Sequence, residues 1–286
     1  MILQTEELRY VYSENTPFEK TAVDNVSISI EENDFIGLIG HTGSGKSTLV
    51  QHLNGLLKPT SGKIYFDGQN ISDKDFDIKA LRFKVGLVFQ YPEYQLFDET
   101  VEKDISFGPR NMGLDEAQIK ERVIDAANAV GLKPELLSRS PFDLSGGEKR
   151  RAAIAGVIAM QPKVLILDEP TAGLDPLGRN TILDMLSKYR REHNTTVVLV
   201  SHSMEDVARV ADKAIVMDHG KVAIYDTVEK VFSNAERLEK IGLNVPEITK
   251  IFSALRSRGI DLPDDVYTVD RALSVLLPIL KKEAAK

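Results

Sequence analysis

Apolar and polar positions partly alternate from Leu3 to Tyr12 and again from Val26 to Ile30, the pattern of half-buried strands. Phe35 to Ile39 is apolar throughout and predicts a strand covered on both faces. Leu49, Leu53 and Leu56 then recur at helical spacing, with Asn54-Gly55 and Pro59 as the stop signal. A strand over Lys63 to Phe66 turns at Asp67-Gly68, and an apolar strand over Val85 to Phe89 ends at Gln90. From Tyr91 to Met160 the period becomes helical, most clearly over Glu116 to Val130, which predicts an inserted helical subdomain. Apolar strands return at Val164 to Leu167, Thr196 to Val200 and Ala214 to Met217, and the helix among them carries Ile182, Met185, Leu186 and Tyr189 on one face. Buried strands alternating with helices predict an α/β fold around a mostly parallel sheet. After about Ser233 the strands stop. Two amphipathic helices are expected there, one with Ile248, Ile251, Phe252 and Leu255, the other with Val269, Leu273, Leu276 and Leu280, separated by Gly259 to Asp265.

Composition narrows the setting. The 286 residues suffice for one large or two modest domains. No cysteine is present, so neither disulfides nor thiolate metal sites support the fold. A formal net charge of -7 argues against a broad affinity for nucleic acid, which needs Lys and Arg against phosphate. No signal sequence opens the chain, and no run of about 18 apolar residues could span a bilayer. The protein is expected to be soluble or to be held at a membrane by partners. Only the charged tail 281–286 is compositionally biased.

The chemistry lies in short segments between these elements. Gly40-His41-Thr42-Gly43-Ser44-Gly45-Lys46-Ser47-Thr48 fits G-x-x-x-x-G-K-[ST], in which backbone N–H groups wrap around nucleotide phosphates. Lys46 would reach the outer phosphates and Ser47 the magnesium ion. The loop opens directly onto a helix N-terminus, where free N–H groups and the helix dipole favour anions. Asp168 and Glu169 end a buried strand at its carboxyl side, where open α/β sheets place ligand-contacting groups. There Asp168 can hold magnesium and Glu169 can act as base toward the attacking water; the plainer alternative is that both cap the Pro170-Thr171 turn. His202 follows the Val197 to Val200 strand, so it should surface on the same edge and donate to the γ-phosphate. His52, His193 and His219 have no such strand behind them and are read as ordinary surface or core histidines.

Leu144-Ser145-Gly146-Gly147-Glu148, Asp168-Glu169-Pro170-Thr171, Ala172-Gly173-Leu174-Asp175 and Ser201-His202 resemble the signature, Walker B, D-loop and switch histidine of ATP-binding-cassette ATPases. The resemblance runs from Leu3 to Phe232. It implies a cassette with a RecA-like mostly parallel sheet, an antiparallel β-subdomain and an inserted helical signature subdomain at about 91–160, all within residues 1–233, followed by a helical extension over 234–286. It implies ATP and Mg2+ as cofactors. It also implies head-to-tail pairing, with Ser145, Gly146, Gly147 and the D-loop Asp175 acting across the interface at the partner's nucleotide. Gln90 matches the Q-loop that links magnesium to the helical subdomain. Tyr12 matches the aromatic that stacks on adenine, its ordinary alternative being a core aromatic of the first strand. One position departs from the pattern: Glu148 stands where the fifth signature residue is usually Gln.

A narrower resemblance comes from Val88-Phe89-Gln90-Tyr91-Pro92-Glu93-Tyr94-Gln95-Leu96-Phe97, followed by Thr100-Val101 and Asp104 to Pro109. This is similar to the energy-coupling-factor transporter ATPases, which power uptake of vitamins and of cobalt or nickel ions. Gly40 to Gly43 and Ala153 to Val157 fit the second of their two paralogous subunits. The resemblance implies a sister ATPase as partner, with a homodimer left open. It implies a transmembrane coupling protein docked near Tyr91 to Phe97, small substrate-binding membrane proteins beyond it, no nucleic acid, and a peripheral place at the cytoplasmic face of the cell membrane. The C-terminal helices would aid dimerisation or simply pack on the cassette. Competing readings are another class of transporter ATPase, or a soluble ATPase working on nucleic acid or the ribosome.

Overall fold

The computed structural model describes the backbone of residues 1–284 and the side chains of residues 1–280, so the side chains of the charged tail lie outside it. The chain opens with β1 (Leu3–Tyr12) and β2 (Lys20–Ile30), then enters β3 (Phe35–Gly40) and α1 (Lys46–Leu53). Next come β4 (Ser61–Phe66), β5 (Gln69–Asn70), α2 (Ile78–Lys84) and β6 (Val85–Val88). Three helices follow: α3 (Val101–Asn111), α4 (Glu116–Ala129) and α5 (Gly146–Ile158). The chain then runs through β7 (Val164–Asp168), α6 (Pro176–His193), β8 (Thr196–Val200), α7 (Met204–Val210), β9 (Lys213–Asp218) and β10 (Lys221–Thr227). It ends in α8 (Val228–Ser233), α9 (Ala235–Lys240), α10 (Glu247–Ser257) and α11 (Val269–Ala284).

Two sheets result. The six-stranded sheet has the order β10-β9-β3-β8-β7-β6, parallel except for the β9–β10 hairpin at its edge. The smaller sheet, β2-β1-β4-β5, is antiparallel. Each strand of the parallel set buries both faces, as its unbroken apolar run predicts. One face, with Leu38, Ile166 and Val198, packs against α1 and the antiparallel sheet, while the other, with Phe35, Leu165 and Leu199, packs against α6 and the helical subdomain. Fully burying such a side chain contributes roughly 1.5–3 kcal/mol, so these strand runs carry most of the fold. At Gly86 an added Cβ would lie 2.6 Å from Val157 Cγ1, so the absent side chain lets α5 lie close on β6.

Local signals set the helix starts. Asp115 and Gln118 form a capping box on α4, and Asp175 with Pro176 begins α6. Three expectations are corrected. The helix carrying Leu49 and Leu53 stops at Leu53, because Gly55 turns left-handed (φ 70°), and Leu56 lies outside it, half-exposed. The strand expected to reach Phe89 ends at Val88. In α11 the expected face is rotated: Ala272, Val275 and Leu276 pack on Phe252 of α10, whereas Val269, Leu273 and Leu280 are exposed. The apolar pattern does not mark the short elements β5, β10, α2 and α7 to α9; α8 and α9 join the cassette through Val231, Phe232 and Leu238.

Candidate active site

The parallel register brings the site together. Leu38 of β3 and Asp168 of β7 both lie level with Val200 of β8, so the residues that follow these three strands emerge on one edge. From β3 comes the phosphate loop. Gly40 is packed so closely that a Cβ would lie 2.4 Å from the Met217 carbonyl, and Gly45 adopts φ 102° just before α1. Lys46 folds back and donates to the carbonyls of Gly40 (2.8 Å) and His41 (3.1 Å). Burial lowers its pKa, and the nearby carboxylates of Glu169 and Asp168 oppose that shift. The ammonium thus sits among carbonyl acceptors within the loop, on the side of the Asp168 and Glu169 carboxylates. The His41 ring bridges the loop carbonyl of Thr42 (Nδ1 to O, 2.9 Å) and Asp218 (Nε2 to Oδ1, 3.0 Å). Ser44 Oγ is buried with no hydrogen-bond partner among the described residues.

From β7 come the two carboxylates. Asp168 is buried, which pushes its pKa up against the Ser47 hydroxyl and the charges of Lys46 and His202. Glu169 turns out of the strand in the left-handed region (φ 54°), its N–H donating to Val200 O (3.0 Å). A non-glycine residue held there stores on the order of 1 kcal/mol, a strain that clusters at functional sites. Burial and the neighbouring Asp168 raise the Glu169 carboxyl to about 7. His202 Nε2 lies 3.2 Å from Glu169 Oε1 but off the line of a hydrogen bond, so among the described residues this buried oxygen has no hydrogen-bonded partner. Burial and the charge of Lys46 lower the imidazole's pKa, with Asp168 opposing the shift. Gln90 is exposed just past the end of β6, beside β7. Tyr12 is no core aromatic: it is 39% exposed, its hydroxyl is 3.2 Å from Thr48 Oγ1, and with Lys20 and Ala22 it walls a cavity over Gly43 and Gly45 to Thr48.

Two predicted segments stand apart from this cavity. Ser145 caps α5 in a reciprocal box with Glu148: Ser145 N–H donates to Glu148 Oε2 (2.9 Å), as does the hydroxyl (2.6 Å). Glu148, the departure from the signature pattern, therefore orients the Ser145 hydroxyl. Among the described residues, nothing beyond its own helix backbone and chain neighbours lies within 4 Å of where a Gly146 Cβ would stand. Asp175 caps α6 by accepting from Gly178 N–H (2.7 Å).

Sequence reasoning missed the residues that join these parts. Arg150, 4% exposed, bonds Glu93 and the carbonyls of Pro170 and Ala172. Thr171 donates to Asp206 (2.9 Å), which also pairs with Arg179, and Arg179 reaches Ser203 beside His202. No periodicity marks a buried arginine; its place next to the signature was the only available hint.

Comparison with known proteins bears on this geometry. The family model described as "ABC transporter" matches residues 23–172. The energy-coupling factor transporter ATP-binding protein EcfA2 of Clostridium acetobutylicum is 55% identical over 287 residues, covering 100% of both chains. The solved structure of cbiO1 from Clostridium perfringens, described as part of the ABC transporter complex cbiONQ, is 40% identical with a TM-score of 0.75, over 88% of this chain and 98% of that one. A bacterial ABC transporter cassette solved as a dimer is 27% identical with a TM-score of 0.70, over 79% of this chain and 99% of that one. Likeness that extends through the helical subdomain and the C-terminal helices, beyond what a phosphate loop alone would produce, places the chain in one branch: it belongs to the ABC transporter family, as an ATP-hydrolysing, ATP-binding subunit of an energy-coupling factor uptake transporter.

Proposed function

We propose that each ATP is enclosed between the phosphate loop of one subunit and the signature of another, and that Glu169 activates the attacking water. The observation that carries this reading is the open signature. Ser145 and Gly146 are exposed, and nothing inside the chain explains why Gly146 lacks a side chain. A partner's nucleotide supplies that reason, since close backbone approach at a helix N-terminus suits a phosphate. A cassette among the structural relatives was solved as a dimer, which supports pairing of two subunits. Tyr12 would stack on the base, Lys46 would neutralise the outer phosphates, and His202 would donate to the γ-phosphate. Asp175 would contribute to the same interface.

The donor set fits Mg2+, a hard cation that takes oxygen ligands. The Ser47 hydroxyl and the buried Asp168 carboxylate face each other, with Gln90 at the rim. Bound there, the ion would neutralise charge on the transferred phosphoryl group. Glu169, with its unpaired buried oxygen, would take the proton of water, a role suited to a carboxyl raised toward neutral pH.

The membrane partner is a transmembrane coupling protein, docked in a cleft of about 430 Å³ between the sheet and the helical subdomain. Leu56, Phe83, Leu87, Leu96 and Phe97 give it an apolar lining. That chemistry suits an amphipathic helix of the partner, at the cytoplasmic face of the membrane. Among the described residues no helix is long and apolar enough to cross a bilayer, so the partner must supply the span. Small substrate-binding membrane proteins would meet that partner and choose the cargo, a vitamin or a transition-metal ion. The second ATPase would be a sister subunit, and the exposed stripe Val269, Leu273, Leu277 and Leu280 of α11 supports a dimerisation role for residues 234–286, beyond the 1–233 motor domain.

The test is Gly147→Asp. ATP affinity of the isolated chain should stay within about twofold, while ATP-driven dimer formation, followed by light scattering on the Glu169→Gln background, is lost. Loss of ATP affinity in the isolated chain would mean that the signature serves its own phosphate loop.

A further inference from the structure

Arg150 occupies an unusual position. It is almost fully buried at the start of the signature helix, and its guanidinium divides its donors between two loops of different parts of the molecule. Nε and Nη2 bind the Glu93 carboxylate at both oxygens (3.1 and 2.6 Å), and Nη1 binds the carbonyls of Pro170 (3.1 Å) and Ala172 (2.6 Å). Glu93 lies in the segment proposed above to meet the coupling protein, two residues after Tyr91, which is held left-handed (φ 55°). Pro170 and Ala172 follow Glu169, which is also left-handed, and the turn closes by Ala172 N–H donating to Glu169 O (3.1 Å). One side chain therefore joins two strained turns, the one carrying the general base and the one facing the membrane partner.

We propose that Arg150 is a positioning residue that transmits movement of the Tyr91–Phe97 segment to the Glu169 turn, by a route that bypasses Gln90. The inference rests on the docking reading above. Its physical basis is the cost of breaking a buried charge pair. If Glu93 moves by an ångström, the guanidinium must follow or leave two charges uncompensated in a site with little water, so motion is passed on and not absorbed. Lysine could not replace it, because one ammonium lacks the planar fork that reaches a carboxylate and two carbonyls together. On the far side of the same turn, Thr171 is tied to Asp206 and through Arg179 to Ser203, so a shift of the turn also reaches the residue next to His202. The outer part of the segment is free to meet a partner: Tyr94 is 84% exposed and Phe97 61%, while Glu93 faces inward.

The experiment compares wild type, Glu93→Gln and Arg150→Lys, each as the isolated ATPase and in the detergent-solubilised membrane complex. It records kcat, KM for ATP and Tm, with a cysteine at Tyr94 (Tyr94→Cys) to cross-link the coupling protein. Arg150→Lys should lower kcat about 10-fold in both preparations with KM for ATP within about twofold, the signature of a displaced reacting group. Glu93→Gln should leave the isolated ATPase within about twofold of wild type, yet abolish the change in turnover that the membrane partner causes. A purely structural role would instead lower Tm and alter KM alongside kcat. Cross-linking together with an undiminished partner effect in Glu93→Gln would overturn the transmission route and leave docking intact. Absence of the cross-link in wild type would overturn docking and, with it, the transmission route. Unchanged kcat in folded Arg150→Lys would overturn the positioning role in either case.

Discussion

Two glycine-rich segments of this chain look alike as sequence and differ in what the fold does with them. Around Gly40 to Thr48 the glycines serve the chain itself: Gly40 gives way to the Met217 carbonyl, Gly45 bends the loop into α1, and Lys46 is buried against loop carbonyls. Around Leu144 to Gly147, among the described residues, a Cβ at Gly146 would meet nothing within 4 Å beyond its own helix backbone and chain neighbours, one at Gly147 only the Arg151 guanidinium at 3.7 Å, and the helix start is exposed. The phosphate loop is built and held within this chain. The signature is proposed above to be an unfinished half-site, completed by the nucleotide of a partner subunit. The difference is visible as steric reason on one side and its lack on the other.

The largest effect that separates the two halves should come from Glu169→Gln. Steady-state ATP turnover is expected to fall by about 10²-fold or more, the range for losing a general base, while an ATP-loaded dimer accumulates on gel filtration. Unchanged turnover would place the base elsewhere. Because both half-sites stay intact in this variant, its trapped dimer is the background on which signature substitutions are read.

Leu96→Asp with Phe97→Asp should come next. Two charges in the apolar cleft are expected to cut transport about 10-fold or more in vesicles, with ATP affinity unchanged, since a charge buried without a partner costs several kcal/mol. Transport at the wild-type rate with normal complex yield would remove the cleft as the docking site. A smaller effect is expected at Glu148. Replacement by Ala removes the capping box on α5 and should cost about 1 kcal/mol in urea unfolding, whereas Gln keeps an acceptor for the Ser145 N–H and should cost a few tenths. Equal losses for Ala and Gln would show that charge, and not the box, is what matters there.

The smallest effect is a pH dependence at Glu93. Burial disfavours its charge, but the hydrogen bonds and charge of Arg150 win, so its pKa falls below the usual 4.5. For a depressed carboxylate, the stabilisation is fully present above the unfolded value and is lost as pH falls through the folded one. The clasp should therefore hold unchanged above pH 5 and weaken only under acid. Acid unfolding followed by circular dichroism should show a steeper loss below about pH 4.5 in wild type than in Glu93→Gln. Matching acid profiles would mean that the pair adds nothing to stability.

How much of this could be read in the chain varies by element. The apolar runs behind Phe35, Val164 and Thr196 foretold both the strands and their parallel order, because a strand buried on both faces leaves no polar alternation. The phosphate loop, Asp168, Glu169 and His202 were legible for the same reason, each standing directly after such a run. The α11 face was misplaced, since Leu and Val recur on more than one side of that helix and only contact with Phe252 selects Ala272 and Leu276. That Tyr12 borders the phosphate-loop cavity and is not a core aromatic became visible only once β1 was set beside α1.

The fold class and the family were readable in the chain alone, because phosphate-loop glycines and buried apolar strands are local patterns of residues. Tertiary structure alone decided which of those residues share a cavity, that Ser145 to Gly147 stand apart from it, and that Arg150 and Glu93 join the two strained turns. Those facts depend on groups 57 residues apart coming within hydrogen-bond distance, and no local pattern records such a meeting.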